Sequence, residues 1–385
     1  MKRILTTAAT LILAMSMTSA QPMLETEKLV TSNDEGMWHG SNNGQDKTVK
    51  KKAKNLILII GDGMGTAQVS ASLVAQKGAS NFMRFPYSGF SRTYSNNKYT
   101  TDSGAGGTAI VSGHKTNNNH VGALTDGTAL ESILTKAHRQ GKATGFVVTS
   151  SVLDATPAST YAHVTHRKKY DSISMQMAQC GFDFMVGGGV GNFRKENRKD
   201  GLSPLDTLIK NGYSIAYSLE EMKRTAGKKM VTFFCENYYG PIAPGRDPVL
   251  VEGTKKALDV LSKSPNGFAL MIEGSQIDWA CHNNDEPYME AELERFEQML
   301  AVVLDFAERD GNTLVVVTAD HETGGLVLTG GDIEKGTNEA KYVTDWHSGT
   351  MVPVFSYGPG AHLFSGIQEN TALMPKMISV LGMKN

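Results

Sequence analysis

The stretch Leu56-Ile57-Leu58-Ile59-Ile60 is apolar at every position and ends abruptly in Gly61-Asp62-Gly63-Met64-Gly65. A strand with one wet face alternates apolar and polar residues, so an unbroken run of this length demands cover on both faces, as in a parallel sheet clothed by helices. Comparable runs recur at Ala143-Thr144-Gly145-Phe146-Val147-Val148-Thr149, at Gly267-Phe268-Ala269-Leu270-Met271-Ile272-Glu273 and at Thr313-Leu314-Val315-Val316-Val317-Thr318-Ala319-Asp320-His321. Helical patterns lie between them, from Leu130 to Gln140 and from Glu290 to Glu308. This alternation predicts an α/β fold with a doubly wound, mostly parallel central sheet flanked by helices. Three of the runs lead directly into Asp62, Glu273 and Asp320-His321, and open parallel sheets bind ligands beyond the carboxyl ends of their strands. A site is therefore expected along one edge of the sheet.

The segment Tyr99-Thr100-Thr101-Asp102-Ser103-Gly104-Ala105-Gly106-Gly107-Thr108 sets the Ser103 hydroxyl among small residues where a chain can turn into a helix. A serine in such a turn commonly caps the helix. As a nucleophile it would need a base, a metal or a helix N-terminus to stabilise its alkoxide. Asp278 and His282 stand four apart in Ile277-Asp278-Trp279-Ala280-Cys281-His282, a spacing that on a helix points both at one metal. Asp320 and His321 follow a strand, and His347 in Trp346-His347-Ser348-Gly349-Thr350 could complete a tetrahedral set. With Asp62, these residues make a candidate site in which Zn²⁺ activates Ser103. Each residue alone has a structural reading, and it is the combination that points to chemistry.

The amino terminus reads as a secretory signal over residues 1–20: Lys2 and Arg3, an apolar run from Ile4 to Met15, and Thr18-Ser19-Ala20 before Gln21. The apolar run falls short of the roughly 20 residues of a membrane span, so no stable membrane anchor is expected and the location is periplasmic or secreted. Residues 21–54 read as a flexible polar leader ending in the solvated run Lys50-Lys51-Lys52-Ala53-Lys54, and residues 55–385 as one catalytic domain. A formal net charge of −1 and no basic face give no footing for a nucleic acid partner. Of the three cysteines, Cys180 and Cys235 could pair, while Cys281 reads as a small buried thiol.

Seven ordered segments, Gly61-Asp62-Gly63-Met64-Gly65, Thr101-Asp102-Ser103, Asp154-Ala155-Thr156-Pro157, His163-Val164-Thr165-His166-Arg167, Glu273-Gly274-Ser275-Gln276-Ile277-Asp278, Ala319-Asp320-His321-Glu322 and His347-Ser348-Gly349, together resemble the motifs of the alkaline phosphatase family. The resemblance runs from about Asn55 to the C-terminus. It implies that Ser103 is a phosphorylated nucleophile and Arg167 a phosphate clamp. It implies two Zn²⁺ ions, one on Asp278, His282 and His347 and the other on Asp62, Asp320, His321 and the Ser103 oxygen. It further implies one Mg²⁺ on Asp62, Thr156 and Glu273, with Asp154 reaching it through water. Asp154 stands where some members carry His, and Trp279 where others carry Lys or His. The short interval from His321 to His347 leaves little room for the large surface insertion of animal members.

These residue types suit that chemistry. Two metal ions roughly 4 Å apart can stabilise the entering and departing oxygens of an in-line phosphoryl transfer. An all-oxygen third site suits hard Mg²⁺, and a guanidinium fork matches two phosphate oxygens in a way that lysine cannot. Asp102 could orient that fork. The implied function is hydrolysis of small-molecule phosphate monoesters through a phosphoserine, releasing inorganic phosphate and an alcohol, in a chain that could form a homodimer. The alternatives are a phosphodiesterase or sulfatase of the same superfamily, or a non-catalytic phosphate- or metal-binding protein. Thr156, Glu273 and Arg167 favour a dianionic monoester. His114, His120 and His163 read as structural or loop residues.

Overall fold

A computed structural model describes residues 52–238, 240–241 and 248–384. The expected signal peptide and the leader up to residue 51 lie outside these residues. The described strands, in chain order, are β1 (Asn55–Gly61), β2 (Tyr87–Arg92), β3 (Ala143–Ser151), β4 (Phe184–Gly188), β5 (Ser214–Ala216), β6 (Met230–Phe233), β7 (Phe268–Gly274), β8 (Thr313–Thr318), β9 (Glu322–Thr323), β10 (Val327–Asp332), β11 (Thr337–Lys341), β12 (His347–Ser348), β13 (Val352–Tyr357) and β14 (Gly366–Glu369). Ten of them form one sheet in the order β14-β2-β13-β8-β1-β7-β3-β4-β6-β5. Only β13 opposes its neighbours, pairing antiparallel with β2 and β8, while every other pairing in the sheet is parallel.

The unbroken apolar runs occupy the middle of this sheet, and their alternate residues separate cleanly onto its two faces. Leu56, Leu58 and Ile60 of β1 join one core with Phe146, Met271 and Leu314. Ile57 and Ile59 join the other with Val147, Ile272 and Val315. Period two in a strand thus feeds two hydrophobic layers, each roofed by helices. The helix Glu286–Asp310 covers the second face; it is longer at both ends than its apolar pattern suggests. Asp285 caps it by accepting from the Tyr288 N–H, and Gly311 at φ 65° ends it. Its residues Met289, Leu293, Phe296, Leu300, Val303 and Leu304 are buried at helical spacing, each worth about 1.5–3 kcal/mol of transfer free energy. On the first face the helix Ile133–Arg139 starts at Ser132, whose hydroxyl accepts from the Thr135 N–H.

Between His321 and His347 the chain makes an antiparallel hairpin of β10 and β11, then returns through β12 to pair with β9. That pairing sets His347 opposite Thr323, two residues beyond His321. The first described residues are tied down, since Ala53 N donates to Val380 O at 3.0 Å and Lys54 N to Asn312 O at 2.8 Å. Cys180 is a free thiol with its Sγ 3.9 Å from Met185 Sδ, so the Cys180–Cys235 pairing is not formed. Cys281 is buried and accepts from Gln68 Nε2 at 3.6 Å. Among the described residues, no helix is long and apolar enough to cross a membrane.

Candidate active site

Two adjacent residues, Asp102 and Ser103, could each cap the helix Ser103–Ser112, and the backbone chooses Asp102. With φ −101° and ψ 169°, Asp102 sits outside the helix and its Oδ1 accepts from the Ala105 N–H at 3.0 Å. Ser103 is left as the first helical residue with its hydroxyl uncommitted to capping, and its Oγ lies 3.3 Å from His321 Nε2. The helix can approach this close because Gly106 faces Asp320; a Cβ there would meet the Asp320 carbonyl oxygen at 2.9 Å. The other Asp102 oxygen accepts from the Asn119 N–H at 3.0 Å and from Arg167 Nη1 at 3.2 Å. Asp102 therefore both starts the helix and aims the guanidinium.

β1 and β8 bring Asp62, Asp320 and His321 together at their carboxyl ends. His321 Nε2 lies 3.4 Å from Asp62 Oδ1 and 3.2 Å from Asp320 Oδ2. Asp320 Oδ1 accepts from the Gly63 and His321 N–H groups, whereas Asp320 Oδ2 and Asp62 Oδ1 are buried with no hydrogen-bond partner. Beside them, the helix Gln276–His282 presents Asp278 and His282 on one face. His282 Nε2 is 3.4 Å from Asp278 Oδ2 and 3.2 Å from His347 Nε2, and His347 Nε2 is 3.6 Å from Asp278 Oδ1. The two ligand sets interleave, for the His321 and His347 rings stack at 3.5 Å.

The outer ring nitrogens identify what belongs between these side chains. His282 Nδ1 sits 2.6 Å from Asp345 O, and His347 Nδ1 sits 2.8 Å from Thr101 O. A carbonyl can only accept, so Nδ1 carries the proton in each ring and the Nε2 lone pairs point inward. His321 follows the same logic: Thr323 Oγ1 donates to Asp278 Oδ1 at 2.5 Å, and its oxygen is 3.2 Å from His321 Nδ1. Three inward lone pairs and several carboxylate oxygens then converge with almost no donor among them, a set that fits cations. Asp278, His321 and His347 form one group able to hold a metal ion, and Asp62, Asp320 and His321 form a second.

Electrostatics agree with that reading. Burial, then the charges of Asp320, Asp278 and Glu273, push the Asp62 carboxyl well above its ordinary range. Burial likewise pushes Asp320 to about 7 and Glu273 to about 8. Burial also opposes ionisation of Asp278, but the imidazoles of His282, His321 and His347 around it outweigh that effect and hold the carboxyl below the usual range. Burial holds His321 well below the ordinary imidazole range and so keeps it neutral, and the neighbouring His347 ring acts in the same direction.

Glu273, near the end of β7, accepts from the Ser150 hydroxyl at 3.4 Å, and Thr156, Ser275, Asp320 and Asp154 all lie close enough to shift its carboxyl, so the residues expected around the third ion are neighbours. Asp154 accepts from the Ser151 N–H at 3.3 Å and from the Tyr238 hydroxyl at 3.2 Å. Ser103, Asp154, Arg167, Asp278, His282 and His347 line one cleft of about 670 Å³. His114 and His163 bond to the backbone oxygens of Ser112 and Gly122, in keeping with structural roles. Sequence reasoning missed Thr323, Tyr238 and Trp346. Thr323 carried a signal, since it stands two residues beyond His321 and so shares a strand face with it. Tyr238 carried none, because it meets Asp154 only across the fold.

The fold and this site define a metal-binding α/β enzyme with a serine hydroxyl and an arginine at the centre. Residues 53–342 match the family model described as alkaline phosphatase. Alkaline phosphatase 4 of Bacillus subtilis (strain 168) is 34% identical over 78% of this chain and 66% of that protein. Alkaline phosphatase 3 of the same organism is 30% identical over 85% of this chain and 89% of that protein. The structure of alkaline phosphatase from the Antarctic bacterium TAB5 superimposes with a TM-score of 0.82 at 36% identity, covering 87% of this chain and 99% of that one. A TAB5 variant with a histidine exchanged for aspartate is described with Mg bound in its M3 site. The chain belongs to the alkaline phosphatase family and is a phosphomonoesterase.

Proposed function

We propose that hydrolysis proceeds by two displacements at phosphorus with Ser103 as nucleophile. The Ser103 Oγ–P bond forms as the ester P–O bond breaks and the alcohol leaves. Water then attacks the phosphoserine, the P–Oγ bond breaks, and inorganic phosphate is released with the serine proton restored. Cations, Zn²⁺ on the mixed nitrogen and oxygen sets and Mg²⁺ on the all-oxygen set, would supply the charge that favours ionised serine and water and shields the phosphate oxygens. The observation that carries this reading is the convergence of Ser103 Oγ with the two orphaned carboxylate oxygens on His321 Nε2.

The chain's own residues do the rest. Ser103 sits at a helix N-terminus, whose partial positive charge favours an oxyanion. Arg167 lines the cleft with its fork steadied by Asp102, ready to take two non-bridging oxygens of the phosphate. Asp62, Thr156 and Glu273 are the ligands inferred for Mg²⁺, with Asp154 reaching it through water, and the TAB5 enzyme with a histidine exchanged for aspartate is described with Mg in its M3 site. Residues 1–20, read as a secretory signal, would be removed before Gln21 and would direct the mature protein to the periplasm or the medium.

Purified protein is expected to hydrolyse a chromogenic phosphate monoester well and the matching diester and sulfate ester poorly, with all activity lost on chelation. Arg167→Lys should weaken inhibition by inorganic phosphate about ten- to a hundredfold, because charge-assisted bonds are worth about 1.5–3 kcal/mol. Monoesters should suffer more than diesters, which offer less charge to the clamp. Unchanged phosphate inhibition in Arg167→Lys would remove Arg167 from substrate binding.

A further inference from the structure

Three aromatic side chains border the cleft and have no part in the chemistry above. Trp346 is 57% exposed although its ring stacks on His347, with centroids 4.7 Å apart and planes 8° from parallel. The His282 ring also touches the indole, with centroids 5.2 Å apart and planes tilted by 52°, and the rest of its surface is open to the cleft and solvent. Its backbone is pinned on both sides, since Trp346 N donates to Thr344 Oγ1 at 3.1 Å and Trp346 O accepts from Gly324 N at 2.9 Å. Trp279, between Asp278 and His282, packs edge-to-face with Tyr238 at 5.4 Å, and the Tyr238 hydroxyl holds Asp154. All three rings line the same cleft as Ser103 and Arg167.

An in-line displacement ejects the leaving oxygen on the side of phosphorus opposite the nucleophile. Ser103 is buried at 3% exposure, so the leaving group of a bound ester points toward the cleft opening, where these rings stand. We propose that Trp346, Trp279 and Tyr238 form a leaving-group subsite that selects phosphate monoesters of flat aromatic alcohols over those of alkyl alcohols. This rests on the mechanism proposed above. A rigid, half-exposed indole face is suited to stacking on a planar ring and gains little from a short alkyl chain.

Intrinsic leaving-group reactivity would confuse a comparison of rates, so the test uses inert ligands. Inhibition constants for phenylphosphonate and methylphosphonate are measured on the metal-loaded protein, alongside inorganic phosphate. Phenylphosphonate should bind about three- to tenfold more tightly in the wild type, the range expected of one aromatic contact. Trp346→Leu should bring the ratio of the two constants toward one, while Trp346→Phe should retain most of it. The ratio cancels any general damage to the neighbouring His347. A wild-type ratio of one, or a ratio that survives in both Trp346→Leu and Trp279→Leu, overturns the subsite. Failure of inorganic phosphate to inhibit the wild type would instead count against the phosphate site itself.

Discussion

Ser103→Ala is expected to lower turnover of a phosphate monoester by at least about a thousandfold, since losing a covalent nucleophile commonly costs that much or more. The remaining rate would come from direct attack of water at an otherwise intact site. Metal content should change little, because Asp62, Asp320 and His321 stay in place and Ser103 contributes one oxygen. Acid quenching of wild type turning over labelled substrate should trap phosphate on Ser103, located by peptide mass spectrometry, and the variant should trap none. Label on another residue, or near-normal turnover in the variant, would rule out Ser103 as the nucleophile.

Chelated protein should lose its activity and, in addition, become less stable as pH rises from about 6.5 to 8. The sign follows from the buried carboxyls. Asp320 at about 7, Glu273 at about 8 and Asp62 raised well above its ordinary value retain protons in the metal-free fold that they release on unfolding. A group whose folded pKa is raised contributes stability that is lost as pH climbs through that pKa, at about 1.4 kcal/mol per pH unit for each proton retained. His321 opposes this trend only below its unfolded value near 6.5, because its folded pKa is lowered. Above that pH the carboxyls set the trend, and His282, whose pKa is raised, adds in the same direction. Bound cations should abolish the slope by replacing the protons. Thermal melts of chelated and metal-loaded protein at pH 6.5 and 8 would show it. A chelated melting temperature that is flat or rising over that window would mean that the carboxyls are not held together as described.

Much of this was legible in the chain itself, for reasons of local physics. Five successive apolar residues in β1 can only be satisfied between two layers, and that places the acidic residue after them at the ligand-binding edge of a parallel sheet. Asp278 and His282 share a face because a helix turns every 3.6 residues. The antiparallel β13 was not legible: Val352-Pro353-Val354-Phe355 carries no direction, and its orientation is set by pairing with β2 and β8. Nor was the missing Cys180–Cys235 bond, since sequence spacing does not say how far apart two thiols lie.

At the site, composition and spacing named acids and imidazoles that suit metals, but only the tertiary structure decided which atoms are left without partners. Asp320 Oδ2 is orphaned because the Gly63 and His321 N–H groups both go to Oδ1, and Asp62 Oδ1 is buried nearby with no partner of its own. His347 comes to Asp278 through the pairing of β12 with β9, a contact made by two separate strands and invisible to any single window of sequence. The choice between Asp102 and Ser103 as helix cap belongs to the same class. Both residue types accept hydrogen bonds well, and it is the extended backbone at Asp102, fixed by its ties to Asn119 and Arg167, that leaves the Ser103 hydroxyl facing His321. Residue types and local periodicity are properties of neighbours along the chain. Which lone pair faces which proton is a property of neighbours in space.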